Sequence, residues 1–586
     1  MSGRTDFCVV VSIDIGTTGT GYAFKYIHDL RNGDPTQARA PMWNNGHQMF
    51  QKTATAILFN PKQEFVAFGY EAEDKYAQMV EDDKNKGWYY FQNFKMLFHD
   101  NKDLTRNTVL IDLDGKEMSA MTIFTMSIRY LKKHFQHSSN ELTASEILES
   151  DILWVLTVPG IWNDSAKQFM REAAQNAGIS GDRLVIALDT EAAIMFFKSH
   201  ILHKRLPGSS CVSAELLPGK KILVVDDGGG LVDTSVFQIQ DDGTFCQIHA
   251  ASGGGWGCVQ VDWAFTQLLI KIVGAKVMLR FKQEEDYLVL CRELEYKKRN
   301  FDPNNRKCLI IRFPDSLSDI YEKMTGENLS DAVTQTSYGI KLNMKNSRML
   351  INPEVMESLF QPMIHDLIEH MNGIFKQPNI QDTDIIFMVG GFSVARILQE
   401  AVKREFPDKS VIVPDNAEYV SLIGGILYAY QPSTISARIS RFTYGIEGVR
   451  KFKPRDPLSK RKIIDGKEMC INVFSKHVEI GETLMVGHSK PELRYTPSTH
   501  DQLISFCLYS STSSNPLFVT DSSCYYLGKL LVDMPKVNGK SSKQCGIFVK
   551  LIFYDTEIKV EARNEITNQV TSAMFNFLAQ SEQTLK

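Results

Sequence analysis

The sequence predicts an α/β protein of two related lobes, followed by a smaller β-rich unit. Three observations carry that prediction. Strand-like and helix-like segments alternate through the first three quarters of the 586 residues, as expected where helices cover largely buried sheets. One kind of turn, an apolar run closing on aspartate and then glycines, occurs at 14–19 and again at 226–230, with an echo at 389–391. From about Gln431 the long helical periods stop and short alternating runs take over.

In chain order, apolar runs predict strands over 9–15, 54–59, 152–158, 222–226, 232–239 and 385–389. Helical periodicity predicts helices over 121–135, 165–177, 190–198, 283–299, 353–374 and 418–430. Asp164 reads as an N-cap and Gly178 as a stop signal. Pro432-Ser433-Thr434 opens a polar link. Beyond it, 527–532, 548–554 and the alternating stretch 558–563 read as strands of a β-sandwich, and only 571–578 reads as helical. Few residues follow the sandwich.

Bulk properties exclude several classes. A chain this long exceeds a single core, so two or more domains are expected. The net charge of −4 offers no whole-chain argument for nucleic acid or an anionic membrane, and no nucleic-acid partner is expected. The basic cluster Arg450, Lys451, Lys453, Arg455, Lys460, Arg461 and Lys462 reads as a solvated loop. Ten scattered cysteines without a C-x-x-C pair argue against zinc and a disulfide framework, and fit reduced thiols in the cytoplasm. Arg4 and Asp6 precede an apolar stretch broken by Asp14, which is not a signal-peptide pattern. No run approaches the ~18 apolar residues of a membrane span.

The repeated turn carries the chemistry. Asp14-Ile15-Gly16-Thr17-Thr18-Gly19 and Asp226-Asp227-Gly228-Gly229-Gly230 each place a carboxylate at the end of a buried strand. The glycines after it let backbone N–H groups approach a phosphate. Two such turns can grip one polyphosphate from both sides, with the aspartates facing its magnesium ion. The repeat suggests two lobes over a cleft.

These segments resemble the phosphate motifs of the actin, sugar kinase and 70-kilodalton heat-shock superfamily. The stretch 156–165 resembles a segment special to the heat-shock branch, and 386–391 resembles the adenosine motif. Pro414 to Val420, followed by Gly424-Gly425, is similar to the segment closing the nucleotide domain. The resemblance covers roughly 7–430, and the wording of the motifs is similar to the heat shock 70 kDa protein 12 group. It implies an actin-like two-lobed nucleotide-binding domain with a duplicated ribonuclease H-like fold over 1–432. Lobe I would span about 1–220 and 395–432, and lobe II about 221–394. A β-sandwich, substrate-binding-like domain without a helical lid would span 433–586.

The resemblance also implies roles. Gly16, Thr17, Thr18 and Gly19 would lie under the phosphates of ATP or ADP, with Gly228, Gly229 and Gly230 opposite. Asp14 and Asp226 would hold Mg²⁺ through waters, with Asp415 at the back of the site. Asp233 would orient or deprotonate the attacking water, and Asp189 stands where the family usually has glutamate. Lys95 matches the lysine that neutralises the γ-phosphate, and it reads equally as an ordinary snorkelling lysine. Glu295, Lys298 and Arg299 share a helix face and would form the adenosine clamp, with Gly390 and Gly391 beside it; the plain alternative is a solvated charged face. Trp256, inside Gly253-Gly254-Gly255-Trp256-Gly257, reads as phosphate-side or as core.

Three departures shape the functional expectation. Leu231 replaces a threonine hydroxyl next to the γ-phosphate, which predicts nucleotide binding with weak or absent hydrolysis, a lost donor costing ~10²–10³ in rate. The linker 434–441 is basic and hydroxyl-rich where acidic and leucine-rich residues are usual. Lys167 stands where arginine is expected, beside Pro159. The leading expectation is an ATP-binding heat-shock-like protein that couples nucleotide to a protein client or signalling partner on the β-domain. A small-molecule kinase of the same superfamily and a nucleotide-binding pseudo-enzyme scaffold are the alternatives.

Overall fold

The computed structural model describes residues 7–46, 48–99, 101, 104–143, 147–203, 214–336, 341–344, 347–496, 503–533, 546–554, 557–574 and 578. The first sheet contains β1 (Val9–Ile15), β2 (Gly19–Tyr26), β3 (Thr53–Ala54), β4 (Ile152–Val158) and β5 (Leu184–Leu188), in the order β5-β4-β1-β2-β3. Helices α1 (Ala120–Thr143) and α2 (Asp164–Asn176) contribute to its outer apolar cluster, and α3 (Asp189–His203) follows β5 directly. The second sheet contains β6 (Lys221–Asp227), β7 (Val232–Ile239), β8 (Phe245–Gly254), β9 (Ile385–Val389), β10 (Ser410–Ile412) and β11 (Ile435–Ile439). Its order is β10-β9-β6-β7-β8-β11, closed by the strand Thr483–Met485. Helices α4 (Val259–Val273), α5 (Glu285–Arg299) and α6 (Pro353–Phe375) lie on its outer side, and α7 (Val420–Tyr430) returns to the first sheet.

Side-chain parity explains how the sheets face one another. On β1, Val9, Val11, Ile13 and Ile15 join the outer cluster, while Val10 joins a cluster shared by both sheets. On β6, Leu223 and Val225 go outward, while Ile222 and Val224 enter the shared cluster. Helices α3 and α7 fill that shared layer. Their close approach needs a missing side chain, since a Cβ on Gly424 would lie 1.9 Å from the Ala192 carbonyl oxygen. The same period-2 alternation points Asp14, Asp226 and Asp233 into the gap between the sheets.

After β11 come two antiparallel sheets. One contains Thr443–Lys451, Arg461–Ile464, Lys467–Val478, Leu503–Ser511 and Cys524–Asp533; the other contains Leu493–Tyr495, Ile547–Tyr554, Glu557–Asn564 and Val570–Met574. Residues from both, among them Ile446, Leu508, Val549 and Val560, form one apolar cluster.

Three expectations change. The run 54–59 is two strands, Thr53–Ala54 and Ala56–Phe59, on different sheets. The cap of α2 is Asn163, whose side chain accepts from the Ala166 N–H, and Asp164 is the first helical residue. The stretch expected as a helix over 571–578 starts as the strand Val570–Met574, because pairing with Glu557–Asn564 outweighs its weak helical period; 575–577 lie outside the described residues. The linker stretch forms the strand β11, which runs parallel to β8 and antiparallel to Thr483–Met485.

Candidate functional site: a cleft between the two sheets

The two glycine turns are the same structure. Each joins two antiparallel strands, β1 to β2 and β6 to β7. In the first, the Gly16 N–H donates to the Gly19 carbonyl at 3.1 Å; in the second, the Gly228 N–H donates to the Leu231 carbonyl at 3.0 Å. They differ across the strand, where Asp14 faces Gly21 but Asp226 faces Asp233. The repeat therefore keeps Asp14 and Asp226 at matching positions, and the later copy adds Asp233 across the strand and Asp227 beside Asp226.

The start of α4 orients the second turn. The carbonyls of Gly228, Gly229 and Gly230 accept from the N–H groups of Cys258, Val259 and Gly257. Carbonyl and following N–H point in opposite directions across a trans peptide. The N–H groups of Gly229, Gly230 and Leu231 therefore face away from α4. The second turn lies against the first: a Cβ on Gly229 would lie 2.4 Å from Thr18 Oγ1, and one on Gly230 2.7 Å from Thr17 Oγ1. The turns meet at the head of a cleft of about 1650 Å³.

Asp14, Asp189, Asp226 and Asp233 line this cleft with Lys95, and all five are buried. Lys95 lies on the short 3₁₀ turn Phe94–Phe98, 3.8 Å from Asp14 Oδ1 and 5.4 Å from the Trp162 ring. Lys52 meets the other oxygen, with Nζ 2.7 Å from Asp14 Oδ2. Burial alone would raise Asp14, but Lys52 and Lys95 hold its carboxyl below the ordinary value. At the other three carboxylates burial outweighs the nearby cations. Burial and the charge of Asp14 push Asp226 up to about 6. Burial pushes Asp189 up to about 7 against the pull of Lys95. Burial and Asp189 push Asp233 up to about 7, although the Gly160 N–H donates to its Oδ2. The second oxygen of Asp233 and one oxygen of Asp189 have no hydrogen-bond partner among the described residues.

The far end of the cleft is walled by Glu295, Arg299, Gly390 and Gly391. Arg299 donates to Glu295 at 2.6 Å and to Glu418 at 2.9 Å. Burial notwithstanding, Lys298 and Arg299 hold Glu295 down at about 2. Lys298 itself does not reach the cleft wall. It is fully buried behind Glu295, with its ammonium 2.8 Å from Asp262 and 2.5 Å from Glu295. Asp415 is also off the wall: it is exposed, while Glu418, one 3₁₀ turn later, faces inward. Trp256 packs against the second sheet's apolar cluster with its ring 5.0 Å from His370.

Sequence reasoning missed Lys52 and Glu418, which carry no spacing signal, and Asp262, a single carboxylate in the first turn of the apolar helix α4. The reading of Leu231 as a missing hydroxyl left out its packing. Its side chain is buried in the first sheet's apolar cluster, near Phe98 and Trp162, and so ties the second turn to the opposite lobe.

The donor set fits a polyphosphate better than it fits an open metal site. The bare glycine cradles and outward N–H groups suit phosphate oxygens. At the expected Mg²⁺ ligand Asp14, both oxygens already face ammonium groups.

The family described as Hsp70 protein matches residues 79–429. The chain is 31% identical over 638 residues to Heat shock 70 kDa protein 12A of Homo sapiens, an alignment covering 99% of this chain and 93% of that one. The Mus musculus protein of the same name gives the same identity and coverage. Heat shock 70 kDa protein 12B of Homo sapiens is 32% identical over 645 residues, covering 98% of this chain and 92% of that one. Full-length similarity and the paired turns lead to one assignment: the chain belongs to the Hsp70 family, with its ATP-binding, actin-like ATPase domain, and within it to the heat shock 70 kDa protein 12 group.

Proposed function

We propose that the chain binds ATP or ADP in the cleft between the first two sheets and hydrolyses ATP weakly or not at all. Nucleotide occupancy then controls a protein client or signalling partner held by the C-terminal strands, read as a lidless β-sandwich over 433–586. The observation that carries this reading is the pair of like hairpin turns, each closed by a glycine N–H bond and each set against the other. Gly16, Thr17, Thr18 and Gly19 would take one side of the phosphates, and Gly228, Gly229 and Gly230 the other. Glu295 and Arg299 would take the ribose and purine, next to Gly390 and Gly391. Lys298 would brace Glu295 rather than touch the ligand. Lys95 would balance the terminal phosphate, and Asp189 and Asp233 would lie nearest the attacking water. Cys8, Cys246, Cys258, Cys291, Cys308, Cys470 and Cys524 carry free thiols, which fits a cytoplasmic place.

Weak turnover follows from Leu231. A buried isobutyl group supplies no donor to a phosphate in flight. Leu231→Thr is expected to speed single-turnover ATP hydrolysis, and wild-type turnover at an ordinary Hsp70 rate would refute the reading. Binding is tested by a thermal-shift panel of nucleotides, in which a ligand at about 100 times its Kd stabilises the fold by ~2.7 kcal/mol. No shift with any nucleotide would overturn the assignment. A second reading, a small-molecule kinase, draws on the cleft volume of about 1650 Å³, larger than the ~300–1,000 Å³ of ordinary ligand pockets. Transfer of labelled phosphate from ATP to a metabolite pool would favour it.

A further inference from the structure

Lys52 is the residue of the cleft that neither the phosphate turns nor the carboxylate set explains. It precedes β3, whose pairing with β2 sets Thr53 opposite Thr20 and Ala54 opposite Gly19. That register lays the lysine stem along β2, where both facing residues are glycine. A Cβ on Gly19 would lie 3.6 Å from Lys52 Cβ, and one on Gly21 3.0 Å from Lys52 Cγ. The stem is thus seated in a groove that larger residues would close. Its ammonium is 2.7 Å from Asp14 Oδ2, and both side chains are largely buried. The charges of Asp226 and Glu418 also bear on it.

A magnesium ion shared by Asp14 and Asp226 would need oxygen ligands or waters at about 2.0–2.1 Å in near-octahedral order. That space already holds a fixed positive charge of the protein. Lys95 covers the remaining Asp14 oxygen from the other side at 3.8 Å. A dication added there would face two ammonium groups, one of them bonded to Asp14. An ammonium is itself a compact charge able to serve phosphate oxygens with three donors.

We propose that the Lys52 ammonium takes the electrostatic place of the divalent cation, so that the cleft accepts the metal-free nucleotide. The proposal rests on the nucleotide reading given above and concerns how the phosphate charge is met. Isothermal titration of the full chain with ADP, in excess EDTA and in excess Mg²⁺, tests it. The two wild-type affinities are expected to agree within about threefold, and Lys52→Arg to preserve that agreement. Lys52→Met uncovers Asp14 and should weaken binding about tenfold or more in EDTA, with recovery on adding Mg²⁺. Manganese EPR supplies a readout that does not depend on the variants: wild type with ADP should show no protein-bound Mn²⁺ beyond that of the free Mn²⁺–ADP complex. Wild-type binding that requires Mg²⁺, or a protein-bound Mn²⁺ signal, overturns the role of Lys52 and leaves the nucleotide reading standing. No ADP binding in either buffer overturns both. If Lys52→Met fails to fold by circular dichroism, the wild-type titrations and the EPR measurement still decide.

Discussion

Gly229 carries a contact that no other residue type permits. A Cβ there would meet Thr18 Oγ1 at 2.4 Å, so Gly229→Ala must push the two turns apart. The expected result is loss of most of the nucleotide-induced thermal shift, with the apo melting temperature changed by only a few degrees. Asp233 gives a pH test. Its carboxyl ionises near 4 when unfolded and at about 7 when folded, so the folded state holds the extra proton between those values. Stability from this group therefore falls as pH rises from about 4 to about 7. Asp233→Asn, whose Oδ1 can still accept from Gly160, should raise apo stability at pH 8 by up to a few kcal/mol and flatten its decline between pH 5 and pH 8. Urea titrations at several pH values measure this, and an unchanged slope would sink it. The aspartates and glycines were legible in the sequence because their chemistry demands those residue types at those positions. Lys52 was not, because its partner is 38 positions away and a lysine before a strand carries no pattern of its own.

At the scale of elements, β11 shows what the linker residues do. Arg438 reaches back to α3, where its guanidinium meets Glu191, a carboxylate with no solvent exposure, with one bond of 2.8 Å. Removing one partner of a buried pair leaves the other charge uncompensated, so Arg438→Ala should cost roughly 3–5 kcal/mol in chemical denaturation. The double variant Arg438→Met with Glu191→Leu should recover much of that loss. Arg441, two residues past the strand, donates to the carbonyls of Gly160 and Trp162 at 2.7 Å each. Beside it, burial pulls Lys167 down to about 8, with Arg441 and Arg438 adding to the shift against Asp164. Arg441 and Arg438 thus bring guanidinium groups close to Lys167. The sequence showed the basic character of 434–441 but not its meaning, because a strand's partners lie outside its own segment. The long buried strands were readable to within a residue, since both faces of each are apolar; the 54–59 run was not, because hydrophobicity does not mark where a strand changes sheets.

For the whole molecule, β11 and Thr483–Met485 finish the seven-stranded sheet from beyond residue 432. A fragment ending at 432 would leave β8 as an open edge with unpaired backbone groups. It is expected to melt lower than the full chain and to self-associate in light scattering; a monodisperse fragment of equal stability would show that these strands are passengers. The composite sheet also connects chemistry to the C-terminal strands over a short path. Gly160 gives its N–H to Asp233 and its carbonyl to Arg441, while Tyr444 Oη donates to Asp164 at 2.7 Å close by. One residue without a side chain is therefore gripped at both of its polar ends, like the tongue of a balance. The candidate acid and the first residues beyond β11 therefore hang from a single peptide neighbourhood.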